Sequence, residues 1–386
     1  MKRIWAIVML LTMLTGCVCA ESAETAEPEE ISMTDAAEEA APEVTEEPEE
    51  ENVLPPEDES KIFTFSLIGD CTVGEQVQHQ GYQSGYTYKI SQAGLDYPFS
   101  LVADMFAKDD LTVANCEGCL TNYKVTKKQV MALIAPPEFA EVFKLGNVDV
   151  CNLANNHAKD FGNRGQQETA ENLEALGIGV FYDDVTWTTE VKGVKIGFVG
   201  FTYPMYESKL KKYTEALQKL RDEGCGFVVA SAHWGRETYY DLDANQKYAV
   251  KLIDAGFDMV YGHGSHTCQM IRWYKGKVIF YSLSNFTFGA NSKPKDDDTV
   301  VVQIRYDIQD DGTMTARDMT AIPFKMAYEG DFRPYPIEDQ EGKERVWTKL
   351  YQNGYPKAKK SPAPSLPESF LTTGYVDFRE LEITEE

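Results

Sequence analysis

The strongest constraint on the fold is a pattern that recurs five times between Lys61 and His266: an apolar run stops abruptly in polar residues, and a helical stretch follows. "KIFTFSLIGD", "LTVANCEG", "VDVCNLANNH", "GFVVASAHWG" and "FDMVYGHGSH" read as buried strands, because a strand covered on both faces needs a nearly continuous apolar run. Between them, "YPFSLVADMFA", "GQQETAENLEALG", "YTEALQKLRDEG" and "ANQKYAVKLIDAG" read as helices, several closed by a glycine of the kind that caps a helix C-terminus. Strand then helix, repeated, predicts an α/β core on a largely parallel sheet. In such sheets ligand groups gather at the carboxyl ends of the strands. Four of the chain's five histidines, His157, His233, His263 and His266, close these runs, and Asp70, Glu117 and Asn156 stand at the same edge.

One histidine at a strand end is ordinarily a satisfied polar residue. Four of them, with carboxylates and an amide at equivalent positions, form a mixed nitrogen and oxygen donor set. That set suits one or two divalent ions of Mn, Zn or Fe. Two ions about 4 Å apart can share a carboxylate and clamp both oxygens of an in-line displacement at phosphorus. Other chemistries are absent: "GFVGFTYP" lacks the Gly-Lys-Ser/Thr of a phosphate loop, and no G-x-S-x-G elbow occurs.

The N-terminal sequence sets the expected location. Residues 1–16 have two basic residues and a short apolar run, the layout of a secretory signal. Leu14-Thr15-Gly16-Cys17 resembles a bacterial lipobox, which makes Cys17 the expected lipidated residue of a cell-membrane lipoprotein; cleavage after Ala20, giving a secreted protein, is the alternative. Both readings are extracytoplasmic. Residues 17–60 read as a disordered acidic tether, since Glu21 to Ser60 carries 17 acidic and no basic residues, about two thirds of the net charge of −25. Such acidity argues against a nucleic-acid partner. Folded structure is expected over 61–325, ending in a hairpin of "TVVVQIRYDI" and "MTAIPFKMAY", with 326–386 as a partly extended C-terminal extension.

Six blocks carry a family resemblance: "GDCTVG", "NCEGCLT", "LANNHAKDFG", "HWGRE", "GHGSHTCQ" and "YSLSNF". In order and spacing, from about Phe63 to Phe288, they resemble the CapA-type capsule-synthesis proteins associated with poly-γ-glutamate, a branch of the calcineurin-like metallophosphoesterases. The resemblance implies an α/β sandwich of two mixed β-sheets flanked by helices. It implies Asp70 and His266 on one metal, Asn156, His233 and His263 on the other, and Glu117 bridging. It also implies His157 as the general acid, Asn155 and Asp160 orienting it, Arg236 and Glu237 in the catalytic block, and Asn285 contacting substrate or bracing a ligand. The implied partners are an anionic capsule or envelope polymer, the membrane through a lipid anchor, and a membrane polymer synthase. Three departures stand out. Thr72 replaces the histidine usual two residues after the first aspartate, Glu117 replaces an aspartate, and Gly264-Ser265 fills the centre of a block that usually reads Gly-His-His-Pro-His.

Two readings therefore compete: a metal-dependent hydrolase or transferase, and a non-catalytic envelope protein that binds polymer or braces a synthase with a degenerate site. A third, redox chemistry at Cys116 and Cys119, follows from the C-x-x-C spacing. The six cysteines outside the signal region, Cys71, Cys116, Cys119, Cys151, Cys225 and Cys268, are compatible with packing, with a disulfide such as Cys71 to Cys116 or Cys119, or with thiolate chemistry.

Overall fold

Strand Ile62–Thr72 runs through the centre of the fold because its alternation serves two cores at once. Phe63, Phe65 and Leu67 point into one buried cluster while Ile68, Cys71 and Val73 belong to another. This computed structural model describes residues 57–123, 131–237, 239–290, 294–326, 331–352 and 362–383. The expected signal segment, the Cys17 anchor and the acidic tether lie outside the described residues.

Two mixed sheets carry the fold. The first runs, in spatial order, Met314–Lys325, Asp298–Ile308, Ile62–Thr72, Leu111–Cys116, Val150–Asn152 and Gly179–Phe181, with Asn285–Phe288 also pairing to the central strand. Its last four strands are parallel, whereas the long Asp298–Ile308 and Met314–Lys325 strands form the expected antiparallel hairpin. The second runs Ile271–Tyr274, Lys277–Phe280, Met259–His263, Phe227–His233, Val194–Thr202 and Trp187–Val191, parallel in its middle and antiparallel at both edges.

Between the sheets lies the largest apolar cluster, where Phe63, Phe65 and Val113 of one meet Phe198, Phe227, Val229 and Tyr261 of the other. Helices cover the outer faces: Gly162–Glu174 on the first sheet through Leu173, and Glu207–Asp222 and Tyr248–Asp254 on the second through Leu217, Leu220, Leu252 and Ile253. This is the expected α/β sandwich of two mixed sheets flanked by helices.

Two local expectations change. "YPFSLVADMFA" is not one helix but a 3₁₀ turn at Tyr97–Phe99 and a short helix at Ala103–Phe106, since Pro98 and the residues around it favour tight turns. The C-terminal residues contribute a helix at Gln340–Gln352 whose Val346, Trp347 and Leu350 join the inter-sheet cluster, with Phe370, Val376 and Phe378. Among the described residues no helix is long and apolar enough to cross a membrane.

Candidate metal centre

Strand register assembles the centre. Across the first sheet Asn152, Asn115, Asp70 and Asn285 are successive cross-strand partners, a polar row at or near the carboxyl ends of three strands and at the start of a fourth, Asn285–Phe288. In the second sheet His233 and His263 are direct partners on adjacent parallel strands. Both rows end over the same cavity, of about 480 Å³, lined among others by Glu117, Asn156, His157, His233, Glu237, His266 and Asn285.

Asp70, with no exposed surface, divides its two oxygens. Oδ1 lies 3.7 Å from His233 Nδ1 and 3.5 Å from His263 Nδ1, and those two nitrogens are 3.1 Å apart. Donors about 2.0–2.2 Å from a shared tetrahedral ion sit about 3.4 Å from one another, so this trio has the spacing of a metal site. Oδ2 lies 3.3 Å from His266 Nδ1 and accepts the Gly264 amide at 3.0 Å; with Glu117 these form a second trio. Asp70 is common to both trios, and Glu117, the bridging residue that the resemblance implied, belongs to the second and reaches to 3.7 Å from His233 Nε2 of the first. Asp70 lies two residues before the end of the central strand with a cross-strand neighbour on each side, whereas Glu117 lies in the turn after its strand.

The residues fit a divalent cation. Both carboxylate oxygens of Glu117 are buried with no hydrogen-bond partner. Burial, then the Asp70 charge, pushes the Glu117 carboxyl up to about 7. Burial pushes His263 down to about 3 and His233 well below the ordinary range against the pull of Asp70, so both imidazoles are neutral, as ligation requires. Burial opposes ionisation of Asp70, but hydrogen bonds from His266 and Asn115 and the charge of His266 outweigh it, and its pKa is lowered. For His266 burial is likewise outweighed, by Glu117 and Asp70, and its pKa rises to about 10.

Supporting groups fix the rings. His263 Nε2 is 3.0 Å from Ser231 Oγ and 3.2 Å from Asn152 Nδ2, which leaves Nδ1 facing the trio. Asn115 Nδ2 donates to Asp70 Oδ1 at 2.7 Å, and its Oδ1 accepts from Asn152 and Asn155. His266 is in the left-handed backbone region at φ 54°, held by Asn285 Oδ1 at 2.6 Å from its Nδ1. Gly264 explains one departure from the family block: at φ +96° a Cβ there would meet the Trp234 carbonyl at 2.8 Å and the His233 ring at 2.9 Å, so no histidine fits.

The remaining expected residues divide. His157 sits at the rim, its Nδ1 2.7 Å from Asp160 Oδ2, and Asp160 also accepts the Leu133 amide at 2.7 Å. Burial lowers the His157 pKa, but the Asp160 hydrogen bond and the Glu117 charge outweigh it and the net shift is upward. Asn155 is buried and braces the turn, donating to Asn115 Oδ1 and the Cys116 carbonyl and accepting the His157 amide. Asn156 is exposed on the cavity wall rather than beside the His233–His263 pair; the amides there are Asn115 and Asn152. Glu237 lines the cavity, and Arg236 between it and Gly235 is exposed with its guanidinium 4.3 Å over the Tyr239 ring. Asn115, Asn152 and Ser231 went unread in the sequence; their signal is a single polar residue near the end of an otherwise apolar strand.

The six described cysteines are free and buried, and burial raises the pKa of each thiol, which fits a packing role. A third acidic trio, Asp296, Asp297 and Asp298, is neutralised by Lys349, Lys325 and Arg345.

Comparison with known proteins adds three findings. Residues 64–290 match the family described as bacterial capsule synthesis protein PGA_cap. The chain is 31% identical over 279 residues to the PGA biosynthesis protein CapA of Bacillus subtilis (strain 168), covering 65% of this chain and 69% of that protein. It is 27% identical over 321 residues to the capsule biosynthesis protein CapA of Bacillus anthracis, covering 76% and 74%. Among solved structures, a novel phosphatase from Mycoplasma pneumoniae aligns with a TM-score of 0.41 and 14% identity, over 70% of this chain and 96% of that one.

Proposed function

Because the chain belongs to the bacterial capsule synthesis protein family PGA_cap, we propose that this CapA-like protein is a metal-dependent hydrolase or transferase serving synthesis of an anionic capsule polymer of the poly-γ-glutamate type. The observation that carries the reading is the donor set of buried Asp70, Glu117, His233 and His263 with half-buried His266 at an open cavity. A structural core has little use for two carboxylates at such a place, one of them with both oxygens unpaired.

A divalent ion bound there, held by Asp70, His233 and His263, with Glu117 and His266 holding a second, supplies a Lewis acid and lowers the pKa of bound water. The chain's own residues do the rest. His157 Nδ1 is tied to Asp160, which turns Nε2 outward to hand a proton to a leaving oxygen or nitrogen. Lys295 on the cavity wall attracts an anionic substrate group, and Glu237, which also lines the cavity, limits which groups enter. The apolar side chains of Leu133, Phe288 and Trp234 exclude water from the same wall. The location we propose is extracytoplasmic, anchored by lipid at Cys17, with a polymer synthase at the membrane as partner.

A second reading, polymer binding or synthase bracing without turnover, is favoured by Thr72 standing where the superfamily motif has a histidine and by the Arg236 guanidinium stacking on Tyr239. Elemental analysis of the full chain after reconstitution with Zn²⁺ and Mn²⁺, followed by assays on phosphodiesters and γ-linked glutamyl polymers, separates the two. Bound ion with turnover that Asp70→Asn abolishes supports the enzyme. Bound ion without turnover on any substrate supports the bracing role, and no ion removes the metal chemistry altogether.

A further inference from the structure

Besides the strand-end donors and His157, two charged side chains line the cavity: Lys295 and Glu237, opposite in sign and both exposed. Neither is neutralised by its neighbours. The acids that follow Lys295 are held by other cations, Asp297 by Lys325 at 2.9 Å, and Asp296 and Asp298 by Lys349 at 2.8 and 2.6 Å. The cation beside Glu237, Arg236, lies over the Tyr239 ring instead. Among the described residues neither Lys295 nor Glu237 forms an ion pair. The two walls that carry them are tied together from behind. Gln269 Nε2 donates to the Tyr239 carbonyl at 2.9 Å, and the Tyr240 hydroxyl donates to Asp296, next to Lys295, at 2.7 Å. Walls fixed in this way limit the ordering that a ligand must impose.

A ligand that satisfies both charges must itself carry an anion and a cation. A phosphodiester, or an internal stretch of an acidic polymer, offers only anions, which Glu237 repels. The amino end of a γ-linked glutamyl chain is different, because its first residue bears an ammonium and a carboxylate on one carbon. A cavity of about 480 Å³ is also of small-molecule size, which suits a chain end better than a length of polymer. Deepening the polymer reading above, on which this rests, we propose that the cavity takes a zwitterionic chain end, with Lys295 on the α-carboxylate and Glu237 on the ammonium. Hydrolysis of the first amide adds one water across it. The C–N bond breaks, the carbonyl carbon gains a hydroxyl, and the leaving nitrogen takes the proton that His157 is placed to hand over. The shortened chain presents the same zwitterion again, so release from the amino end repeats.

The test measures binding of a short γ-linked glutamyl oligomer to the full chain by calorimetry, with the oligomer's amino end free or acetylated. Protein stripped with a chelator and protein equilibrated with Zn²⁺ are compared. In both states the free end is expected to bind about tenfold more tightly, the scale of one hydrogen bond to a charged group. Glu237→Gln should abolish that preference and Glu237→Lys reverse it. Amidating the first α-carboxylate should weaken binding to the wild type but not to Lys295→Met. Both side chains are exposed, so folding is not at stake. Equal or tighter binding of the acetylated oligomer, a preference that Glu237→Gln keeps, or no binding of either oligomer overturns the inference. So does a preference seen only with Zn²⁺, which would mean that the amine chelates the ion. The metal-dependent reading is judged separately, by ion content and turnover. Bound ion with turnover of acetylated oligomers or phosphodiesters keeps that reading while the chain-end inference fails, and a free-end preference in a chain that binds no ion does the reverse.

Discussion

Asp70 gives each half of the centre one oxygen, so its replacement and that of a single histidine have different consequences. Asp70→Asn is expected to lower the affinity of both ions, and His263→Gln that of the Asp70–His233 half alone; metal content per chain distinguishes the two. Glu117 carries a prediction about stability. Its unpaired carboxylate is a burden on the metal-free protein of about 1–3 kcal/mol. Chelation should therefore lower the melting temperature of the wild type by more than that of Glu117→Gln, by thermal unfolding with and without chelator. Far from the centre, Asp109 is pushed up to about 6, mainly by burial and also by Asp110 and Asp149, against hydrogen bonds from Ser66 and Gln303. The folded state thus holds this proton more tightly than the unfolded chain does. The resulting stability is fully present below the ordinary value of 3.8 and is lost as pH rises through about 6. Asp109→Asn should raise the melting temperature near neutral pH, and the gain should shrink toward zero at about pH 4.

The helix Gln340–Gln352 shows how one element outside the matched family segment controls the cavity wall. Its Lys349, 3% exposed, donates to Asp296 at 2.8 Å and to Asp298 at 2.6 Å, while Arg345 pairs with Asp298 through two nitrogens. Asp296 also accepts from the Tyr240 hydroxyl at 2.7 Å, and its neighbour Lys295 lines the cavity. Lys349→Met leaves buried carboxylates short of their cation and should cost about 3–5 kcal/mol in denaturant unfolding. Hydrogen exchange should also show lost protection over 294–298. None of this was legible in the sequence, where "RVWTKLYQ" is an amphipathic stretch and its lysine looks like any solvated charge. Ion pairing across some fifty residues leaves no local signature, whereas the strand-end histidines did, because each closes an apolar run.

Across the whole molecule the C-terminal residues are part of the core, not an appendage. Val346, Trp347, Leu350, Phe370, Val376 and Phe378 share the cluster that joins the two sheets, and the Trp347 indole donates to the Ala321 carbonyl at 2.9 Å. A chain ending at Met326 is expected to lose cooperative unfolding, as followed by circular dichroism, since it strips apolar cover from both sheets. The alternation of apolar runs and helical stretches by itself determined the α/β class, the strand ends as the place where polar groups meet, and Asp70, Glu117, His233, His263 and His266 as groups gathered there. Those features are local, because burial on both faces demands apolar residues and any polar residue there has a reason. Tertiary structure alone decided that Asp70 is common to both trios, that Asn115 and Asn152 stand beside the histidines while Asn156 lines the cavity wall, and that Arg236 stacks on Tyr239. These depend on register and side-chain direction. A shift of one residue in strand pairing would exchange the faces while leaving every local pattern intact.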